Sequence, residues 1–176
     1  MLHEAALAMT TGDIVRRLLL ARLDDAHRLA TFILRDPVAA EDAVQDAALL
    51  AWDRRGSLRG TDTFDGWFTR ILVNVCRDEL RRRARRPSLV ALDISDDPAS
   101  PPDPARNDAD LGRAIARLTA DEQALLALRF GRELTVPAIA IVLDVPEGTV
   151  KSRLHSTLAH LRAALDAERR AGEDGR

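Results

Sequence analysis

Cationic and hydrogen-bonding side chains are concentrated at the start of a predicted helix near the end of the sequence. These residues are Lys151, Ser152, Arg153, His155 and Ser156. Such side chains can contact phosphates and base edges, and a helix pair that presents the polar N-terminal half of its second helix is the DNA-reading helix-turn-helix arrangement. An ordinary hairpin of two helices would carry the same pattern. These residues alone leave the two interpretations about equal.

Two predicted helices joined by a tight turn would hold these side chains in place. Thr135 is the expected N-cap of the first helix, and Pro137 lies in its first turn, where a missing N–H is tolerated. The apolar face of this helix comprises Ile139, Ile141, Val142 and Leu143. Residues 144–146 break the first helix, and residues 147–150 begin the second. The predicted buried face of the second helix comprises Val150, Leu154, Leu158, Leu161 and Leu165, spaced three or four apart.

A second cationic cluster ends a predicted helix over residues 63–86. The apolar stripe of this helix comprises Phe64, Trp67, Phe68, Ile71, Leu72, Val75 and Leu80. The arginines of its far end are Arg77, Arg81, Arg82, Arg83, Arg85 and Arg86. So dense a cluster either keeps the surface soluble or binds phosphates, and its closeness to aromatic residues favours nucleic acid.

An acidic surface is predicted on the helix from residue 38 to about residue 54. Its apolar side comprises Val44, Ala48, Leu49 and Trp52, and its opposite side comprises Glu41, Asp42, Gln45 and Asp46. Acidic faces of this kind are usually only solvated, and by itself the pattern favours that interpretation.

Composition narrows the class of protein. Of the 176 residues, 46% are hydrophobic, only 3% are aromatic and none is tyrosine, which favours helices over sheets. The formal net charge is −2, so nucleic-acid binding must come from segregated charge. The single Cys76 excludes an intramolecular disulfide and a cysteine cluster for zinc. No run reaches membrane-spanning length, so we expect a cytoplasmic protein that does not insert into membranes.

A linker divides the predicted helices into two small domains. Residues 13–35 predict a first helix, after which Asp36 and Pro37 are typical of a cap and a first helical position. Residues 87–110 are rich in proline and aspartate and predict a flexible acidic linker. Helices resume at Leu111, and a capping box at residues 119–122 opens a helix through Phe130. We therefore predict an all-α protein with domains at residues 1–86 and 111–176.

Four segments in this order resemble the extracytoplasmic-function group of bacterial RNA polymerase sigma factors, which belongs to the sigma-70 family. They are AEDAVQDAALLAW (40–52), FDGWFTRILVNVCRDELRRR (64–83), LTADEQALLALRF (118–130) and VPEGTVKSRLHSTLAHLRAAL (145–165). This resemblance implies a factor that binds core RNA polymerase, at its clamp helices and flap, and directs it to promoter DNA. It also implies an anti-sigma factor as a partner.

The resemblance assigns roles to three groups of residues. Those expected to bind polymerase are Glu41, Asp42, Gln45 and Asp46. Those expected to bind the minus-ten promoter element are Asn74, Arg77, Asp78, Arg81 and Arg82, whereas Phe64 and Trp67 are more typical of a core. Those expected to bind the minus-thirty-five element are Thr149, Lys151, Ser152, Arg153, His155 and Ser156.

The sequence also departs from the family pattern at three positions. Ser156 stands where arginine is common, Ala138 stands where a capping glutamate is common, and Asp144 stands where glycine is usual in the turn. Aspartate is tolerated there because it adopts left-handed backbone more easily than most residues. We expect these changes to weaken promoter recognition by the helix-turn-helix alone.

Two other classes of protein fit the sequence less well than a sigma factor. A helix-turn-helix transcriptional regulator with a ligand-sensing or dimerising N-terminal domain is the main alternative, but it would not need a docking helix followed by a helix rich in arginine. An enzyme is disfavoured because the four histidines are dispersed and no glycine-rich phosphate loop or metal-ligand spacing is present. We therefore expect no catalytic residue, metal or cofactor.

Overall fold

The computed structural model describes residues 10–85 and 104–174, with side chains described over 10–85 and 109–170. The greater part of the predicted linker and Arg86 therefore lie outside the described residues. Within the described part the chain forms α-helices and short helical turns and no strand, which confirms the all-α prediction.

Three helices form the first half of the described chain. They are α1 (Thr11–Leu34), α2 (Pro37–Asp53) and α3 (Phe64–Arg85), and two short 3-10 turns, Arg55–Ser57 and Thr61–Thr63, connect the last two. The predicted stop and restart at Asp36 is confirmed, since its carboxylate accepts the backbone N–H groups of Val38 and Ala39 at 3.0 and 3.1 Å. An unpredicted capping box between Thr10 and Asp13 starts α1 two residues earlier than expected.

The second half contains four helices. They are α4 (Pro104–Ala116), α5 (Ala120–Leu126), α6 (Val136–Leu143) and α7 (Glu147–Asp174). Helix α4 begins at Pro104, seven residues before the helix predicted from Leu111. The predicted helix through Phe130 also changes form, since α5 ends at Leu126 and a π-helical turn follows over Ala127–Gly131. The predicted capping box is confirmed, with Thr119 and Glu122 each accepting the other's backbone N–H.

The two halves pack against each other around one continuous apolar cluster. Phe64, Leu72 and Val44 of the first half and Leu128 and Ile139 of the second are at most 1% exposed and belong to it. Contacts between the halves run mainly from α3 to α5 and α6, and from α1 to the π-helical turn. This packing decides which faces of α2, α3 and α7 remain accessible.

Candidate nucleic-acid interface

The helix-turn-helix consists of α6 and α7, and its local geometry follows from three predicted residues. The Thr135 hydroxyl accepts the backbone N–H of Ala138 at 3.4 Å and caps α6, with Pro137 in the first turn. Asp144 ends α6 in the left-handed region (φ 57°, ψ 50°), a conformation that aspartate adopts more easily than most residues. Ile139 and Val150 are fully buried and hold the two helices together.

The polar start of α7 faces solvent. Lys151, Ser152, Arg153, His155 and Ser156 are exposed, and Thr149 is half-buried. The two serine hydroxyls donate to carbonyls of their own helix, Ser152 to Thr149 and Ser156 to Arg153, each at 3.0 Å. The side chains of Lys151, Arg153 and His155 form no hydrogen bond or ion pair with any described residue. The positive charge of this surface is therefore uncompensated within the described chain and available for an anionic ligand.

Two predicted buried positions of the helix-turn-helix are wrong. Ile141 is 66% exposed and Leu158 is 44% exposed, whereas the remaining predicted apolar residues are buried or half-buried. Helix α6 is apolar on nearly all sides, so its sequence does not define which side meets the core. The burial of α6 is instead decided by Ile139 and Val142, which both turn inward.

The residues predicted to contact the minus-ten element lie along α3. Asn74, Asp78, Arg81 and Arg82 are exposed and Arg77 is half-buried. The Arg77 guanidinium donates to the Asn74 side-chain oxygen at 3.3 Å, and Arg81 lies 3.4 Å from the Asp78 carboxylate. Arg82 is instead ion-paired with Glu79. The spacing of the five residues places them along one side of α3, but no single network of contacts joins them all.

The aromatic residues of α3 are mainly structural, as expected. Phe64 is 1% exposed and stacks on Phe68 with ring centroids 5.6 Å apart. Trp67 is half-buried, and its indole N–H donates to the Ser57 hydroxyl at 3.2 Å. This hydrogen bond ties the loop between α2 and α3 to the start of α3.

The acidic face of α2 is exposed and has apolar neighbours. Glu41, Asp42, Gln45 and Asp46 are all exposed and have no side-chain partner among the described residues. Two residues of the predicted apolar side, Leu49 and Trp52, are 66% and 40% exposed, so the rest of the described chain covers that side only in part. Asp42, Asp46 and Leu49 line an open groove between α2 and α3. A surface that combines unpaired carboxylates with exposed apolar side chains suits a protein partner better than a purely solvated face does.

Two residues that the sequence analysis did not single out connect α3 to the second half of the chain. Asp121, in the first turn of α5, forms ion pairs with both Arg77 and Arg81. Arg70 donates to the carbonyl oxygens of Ile141 and Val142 at the end of α6. The spacing of Arg70, Arg77 and Arg81 places them on one face of α3 and was the available signal. Their partners are forty or more residues away in the sequence, so no local pattern pointed to them.

Reactive and metal-binding groups are sparse in the described chain. Burial raises the pKa of the Cys76 thiol to about 12, which makes it a poor nucleophile. Over residues 10–85 and 109–170 no three His, Cys, Asp or Glu side chains are grouped so as to hold a metal ion. Among the described helices, none combines the length and the apolar character needed to cross a bilayer.

Comparison with protein families gives two matches in order along the chain. Residues 18–86, which include most of α1 and all of α2 and α3, match Sigma-70 region 2. Residues 114–163, which include the helix-turn-helix, match Sigma-70, region 4. The two matches therefore cover both halves of the described structure and fall on either side of the predicted linker.

Two relatives are similar to most of this chain. The ECF RNA polymerase sigma factor SigM of Mycobacterium tuberculosis is 34% identical over 142 residues, which cover 79% of this chain and 70% of SigM. The ECF RNA polymerase sigma factor SigL of the same organism is 32% identical over 157 residues, covering 84% of this chain and 89% of SigL.

Two solved structures have a similar fold. The sigma factor RpoE of Bartonella quintana, in complex with the anti-sigma factor NepR, has a TM-score of 0.59 at 22% identity and covers 86% of this chain and 96% of its own. CnrH, in complex with the cytosolic domain of CnrY, has a TM-score of 0.59 at 25% identity and covers 87% of this chain and 88% of its own. Both sigma regions match in order along the chain, and SigM and SigL are 34% and 32% identical to it over 70% and 89% of their own lengths. The chain therefore belongs to the extracytoplasmic-function group of sigma-70 family RNA polymerase sigma factors.

Proposed function

We propose that this sigma factor uses three separate surfaces to bring core RNA polymerase to a promoter. The acidic face of α2 docks on the enzyme, the polar surface of α3 contacts the minus-ten element, and the start of α7 contacts the minus-thirty-five element. The observation that carries the proposal is the set of unpaired cationic side chains at the start of α7, in a chain that matches both sigma regions. As a member of this family it is an initiation factor rather than an enzyme.

The polymerase-docking surface consists of Glu41, Asp42, Gln45 and Asp46. Its support is the exposure of all four side chains beside the apolar Leu49. A protein partner can neutralise the carboxylates with cationic groups while covering the apolar residue, so the two contributions add. We assign the clamp helices of the enzyme to this surface and its flap to the region 4 domain.

The minus-ten surface consists of Asn74, Arg77, Asp78, Arg81 and Arg82. Asparagine and aspartate can form hydrogen bonds with unpaired base edges, and arginine can bind the phosphates of separated strands. The exposure of Asn74 and Asp78 supports this role. Phe64 is excluded from base stacking in this state because it lies in the core.

The minus-thirty-five surface consists of Thr149, Lys151, Ser152, Arg153, His155 and Ser156. Because the N-terminal residues of a recognition helix approach base edges in the major groove, their position on the first two turns of α7 supports the assignment. Ser156 supplies only a short hydroxyl, so this surface binds weakly by itself. Linking it to the minus-ten surface and the polymerase raises its effective concentration at the promoter.

We assign region 2 to residues 1–86, the acidic linker to residues 87–110, the last of which belong to α4, and region 4 to residues 111–176. We also propose an anti-sigma factor as a partner and the cytoplasm as the location, because core polymerase and DNA are found there. A ligand-sensing or dimerising helix-turn-helix regulator is not favoured, since the N-terminal half matches region 2 throughout α2 and α3.

Two paired variants test the surfaces. Binding to core polymerase is measured by co-purification, and promoter recognition is measured by run-off transcription on a library of genomic fragments. Asp42→Arg with Asp46→Arg should abolish co-purification with core enzyme, and Asp24→Arg with Asp166→Arg is the control, because it makes the same change in charge at exposed sites elsewhere. Lys151→Ala with Ser152→Ala should impair promoter-specific initiation and leave core binding unchanged. Retained co-purification of the first pair, or loss of core binding in the second, would overturn the respective assignment.

A further inference from the structure

A polar contact joins the start of α2 to the end of α3 inside the region 2 half. The Arg83 guanidinium donates from Nη2 to Oδ2 of Asp36, the N-cap of α2, at 2.9 Å. Among the described residues, no other ion pair or side-chain hydrogen bond joins α2 or its cap to α3. In this part of the chain, Arg83 therefore makes the polar link between the helix of the polymerase-docking surface and the helix of the minus-ten surface.

The two acceptors of Arg83 are each fixed to one of the two helices. Asp36 uses Oδ1 to accept the backbone N–H groups of Val38 and Ala39, which leaves Oδ2 for Arg83. On α3, the Arg83 Nε donates to Oε1 of Glu79 at 2.8 Å, one turn earlier in the helix, and the Glu79 side chain is only 16% exposed. Because a guanidinium is a planar fork whose donors point in fixed directions, binding both carboxylates fixes the first turn of α2 relative to α3.

This contact lies at one end of the open groove between α2 and α3. Ala39 lines the groove on the α2 side, and Glu79 and Arg82 line it on the α3 side. Asp36 comes three residues before Ala39, and Arg83 directly follows Arg82. Since open space separates the two helices along the groove, interlocking side chains do not set their distance there. The link between Asp36 and Arg83 is placed to do so.

The two walls of the groove belong to the two proposed surfaces. Asp42 and Asp46 of the polymerase-docking surface lie on the α2 wall, whereas Asp78 and Arg82 of the minus-ten surface lie on the α3 wall. The distance between the walls is therefore also the distance between the polymerase contacts and the DNA contacts. An initiation factor holds both partners at once, so a change in this distance moves the DNA relative to the enzyme.

We propose that Arg83 is a positioning residue, which acts through Asp36 and Glu79 to fix the distance between the polymerase-docking surface and the minus-ten surface. Arg83 itself contacts neither polymerase nor DNA. The inference rests on the functions proposed for those two surfaces. Because all four docking residues lie on α2, loss of the link leaves core binding intact and slows the later opening of promoter DNA.

The test compares core binding with promoter opening for the full chain. Arg83→Gln removes the guanidinium fork, and Asp36→Asn removes the ion pair from the other side while keeping an oxygen that can cap α2. Arg17→Gln and Asp24→Asn make the same two changes in charge at exposed sites on α1 and are the matched controls. The Kd for core polymerase is measured by titration. Opening by the reconstituted holoenzyme is measured as the rate at which unpaired bases become reactive to permanganate, on a promoter selected by run-off transcription. Circular dichroism verifies that each variant is folded at the assay temperature.

We expect Arg83→Gln and Asp36→Asn each to slow opening on the order of 10-fold relative to their controls, less than the roughly 100-fold that a misplacement of about 1 Å can cost in catalysis. The effect is smaller because Val44 and Leu72 still hold α2 and α3 in one apolar cluster. The Kd for core polymerase should not change. The double variant should open DNA no more slowly than either single variant, because both single changes break the same contact.

Two results would identify a different role for Arg83 and overturn the proposal. A loss of core binding in parallel with opening would indicate general destabilisation of the region 2 half. Slow opening by Arg83→Gln beside normal opening by Asp36→Asn would indicate a direct phosphate contact. Loss of such a contact would also lower the slope of log affinity against log salt concentration by about 0.7–0.9, whereas loss of a positioning residue leaves that slope unchanged.

Asn74→Ala with Asp78→Ala separates this inference from the function on which it rests. If that pair slows opening while the Arg83 and Asp36 variants behave as their controls, the positioning role is wrong and the minus-ten assignment stands. If that pair opens promoters normally, the minus-ten assignment is wrong and the positioning proposal is overturned with it.

Discussion

Glu168 connects the far half of α7 to α4, and its replacement tests how the region 4 half is stabilised. Its side chain is only 7% exposed, and its Oε2 atom accepts a hydrogen bond from Nε of Arg113 at 3.0 Å. Its Oε1 atom is in ion-pair contact with Arg117 without hydrogen-bond geometry. A carboxylate removed from water in this way depends on its cationic partners.

The expected cost follows from the exposure of the two partners. A hydrogen bond between charged groups contributes about 1.5–3 kcal/mol, and the Arg117 pair adds less than about 1 kcal/mol because its guanidinium is 59% exposed. Both arginines can return to solvent when the carboxylate is removed, which reduces the loss. We therefore expect Glu168→Ala to lower the free energy of unfolding by about 2 kcal/mol.

The assay is thermal unfolding of the full chain followed by circular dichroism. For a chain of this size, about 2 kcal/mol corresponds to a decrease in Tm of about 4–8 °C. Asp166→Ala is the matched control on the same helix, since its carboxylate is exposed and should change stability by less than about 0.5 kcal/mol. If the two variants unfold at the same temperature, the Glu168 ion pairs do not stabilise the domain and the reasoning is refuted.

Three further predictions concern single side chains. Burial raises the pKa of Cys76 from 9.0 to about 12, which lowers its thiolate fraction at pH 8 about 1000-fold. Iodoacetamide should therefore label the native chain at least that much more slowly than the urea-unfolded chain. Equal labelling rates would contradict this. The backbone N–H of Ala39, together with Arg83, holds the pKa of Asp36 below 3.8, so its contribution to stability is present above pH 3.8 and is lost as the pH falls through the lower folded value. Asp36→Asn, which keeps a capping oxygen, should therefore show a flatter loss of stability in acid, and an unchanged acid transition would count against the ionic contribution. Ser156→Arg should tighten binding to minus-thirty-five DNA. Because one more phosphate is contacted, the plot of log affinity against log salt concentration should become steeper by about 0.9. An unchanged slope of that plot would mean that position 156 does not face the DNA backbone.

Helix ends were predictable because their chemistry is local. Asp36 caps α2 and Thr135 caps α6 through hydrogen bonds to residues two or three positions away, and the Thr119–Glu122 capping box lies within one turn. Such contacts involve residue types at fixed short spacings, so a sequence pattern contains all of their participants. The left-handed backbone of Asp144 follows from the same kind of local preference.

Burial was predicted less well, because periodicity defines a stripe but not how much of it another element covers. Leu49, Trp52, Ile141 and Leu158 all have helical spacing from buried residues, and all are at least 40% exposed. Leu49 lies at the edge of the groove between α2 and α3, which no other described element fills. Whether such a residue is buried depends on distant helices, or on a partner protein, and neither is encoded in the spacing.

Contacts between the halves of the chain were the hardest to foresee. Asp121 lies within the predicted capping box, in the first turn of α5. The helix dipole favours an acidic residue at that position, so its presence there does not indicate a distant partner. Only the tertiary structure shows that the same carboxylate faces Arg77 and Arg81. The resemblance to a known family assigns roles to three surfaces, which stay predictions, and it does not indicate how the two halves pack against each other.

The arginines at the end of α3 show why composition alone does not define a DNA-binding surface. The sequence favours one phosphate-binding cluster that includes all of these arginines. In the structure, however, Arg83 forms ion pairs with Glu79 at 2.8 Å and with Asp36, the N-cap of α2, at 2.9 Å. Those contacts join α2 to α3 inside the region 2 half, so Arg83 stabilises the fold and is not free to leave it for DNA.

Arg77 and Arg81 differ from Arg83 because their acceptor lies in the other half of the chain. Arg83, two positions beyond Arg81, instead pairs with Glu79 and with the cap of α2. Arginines of one dense cluster on one helix therefore serve different contacts, some within the region 2 half and some between the two halves, and only the three-dimensional positions of their acceptors distinguish them.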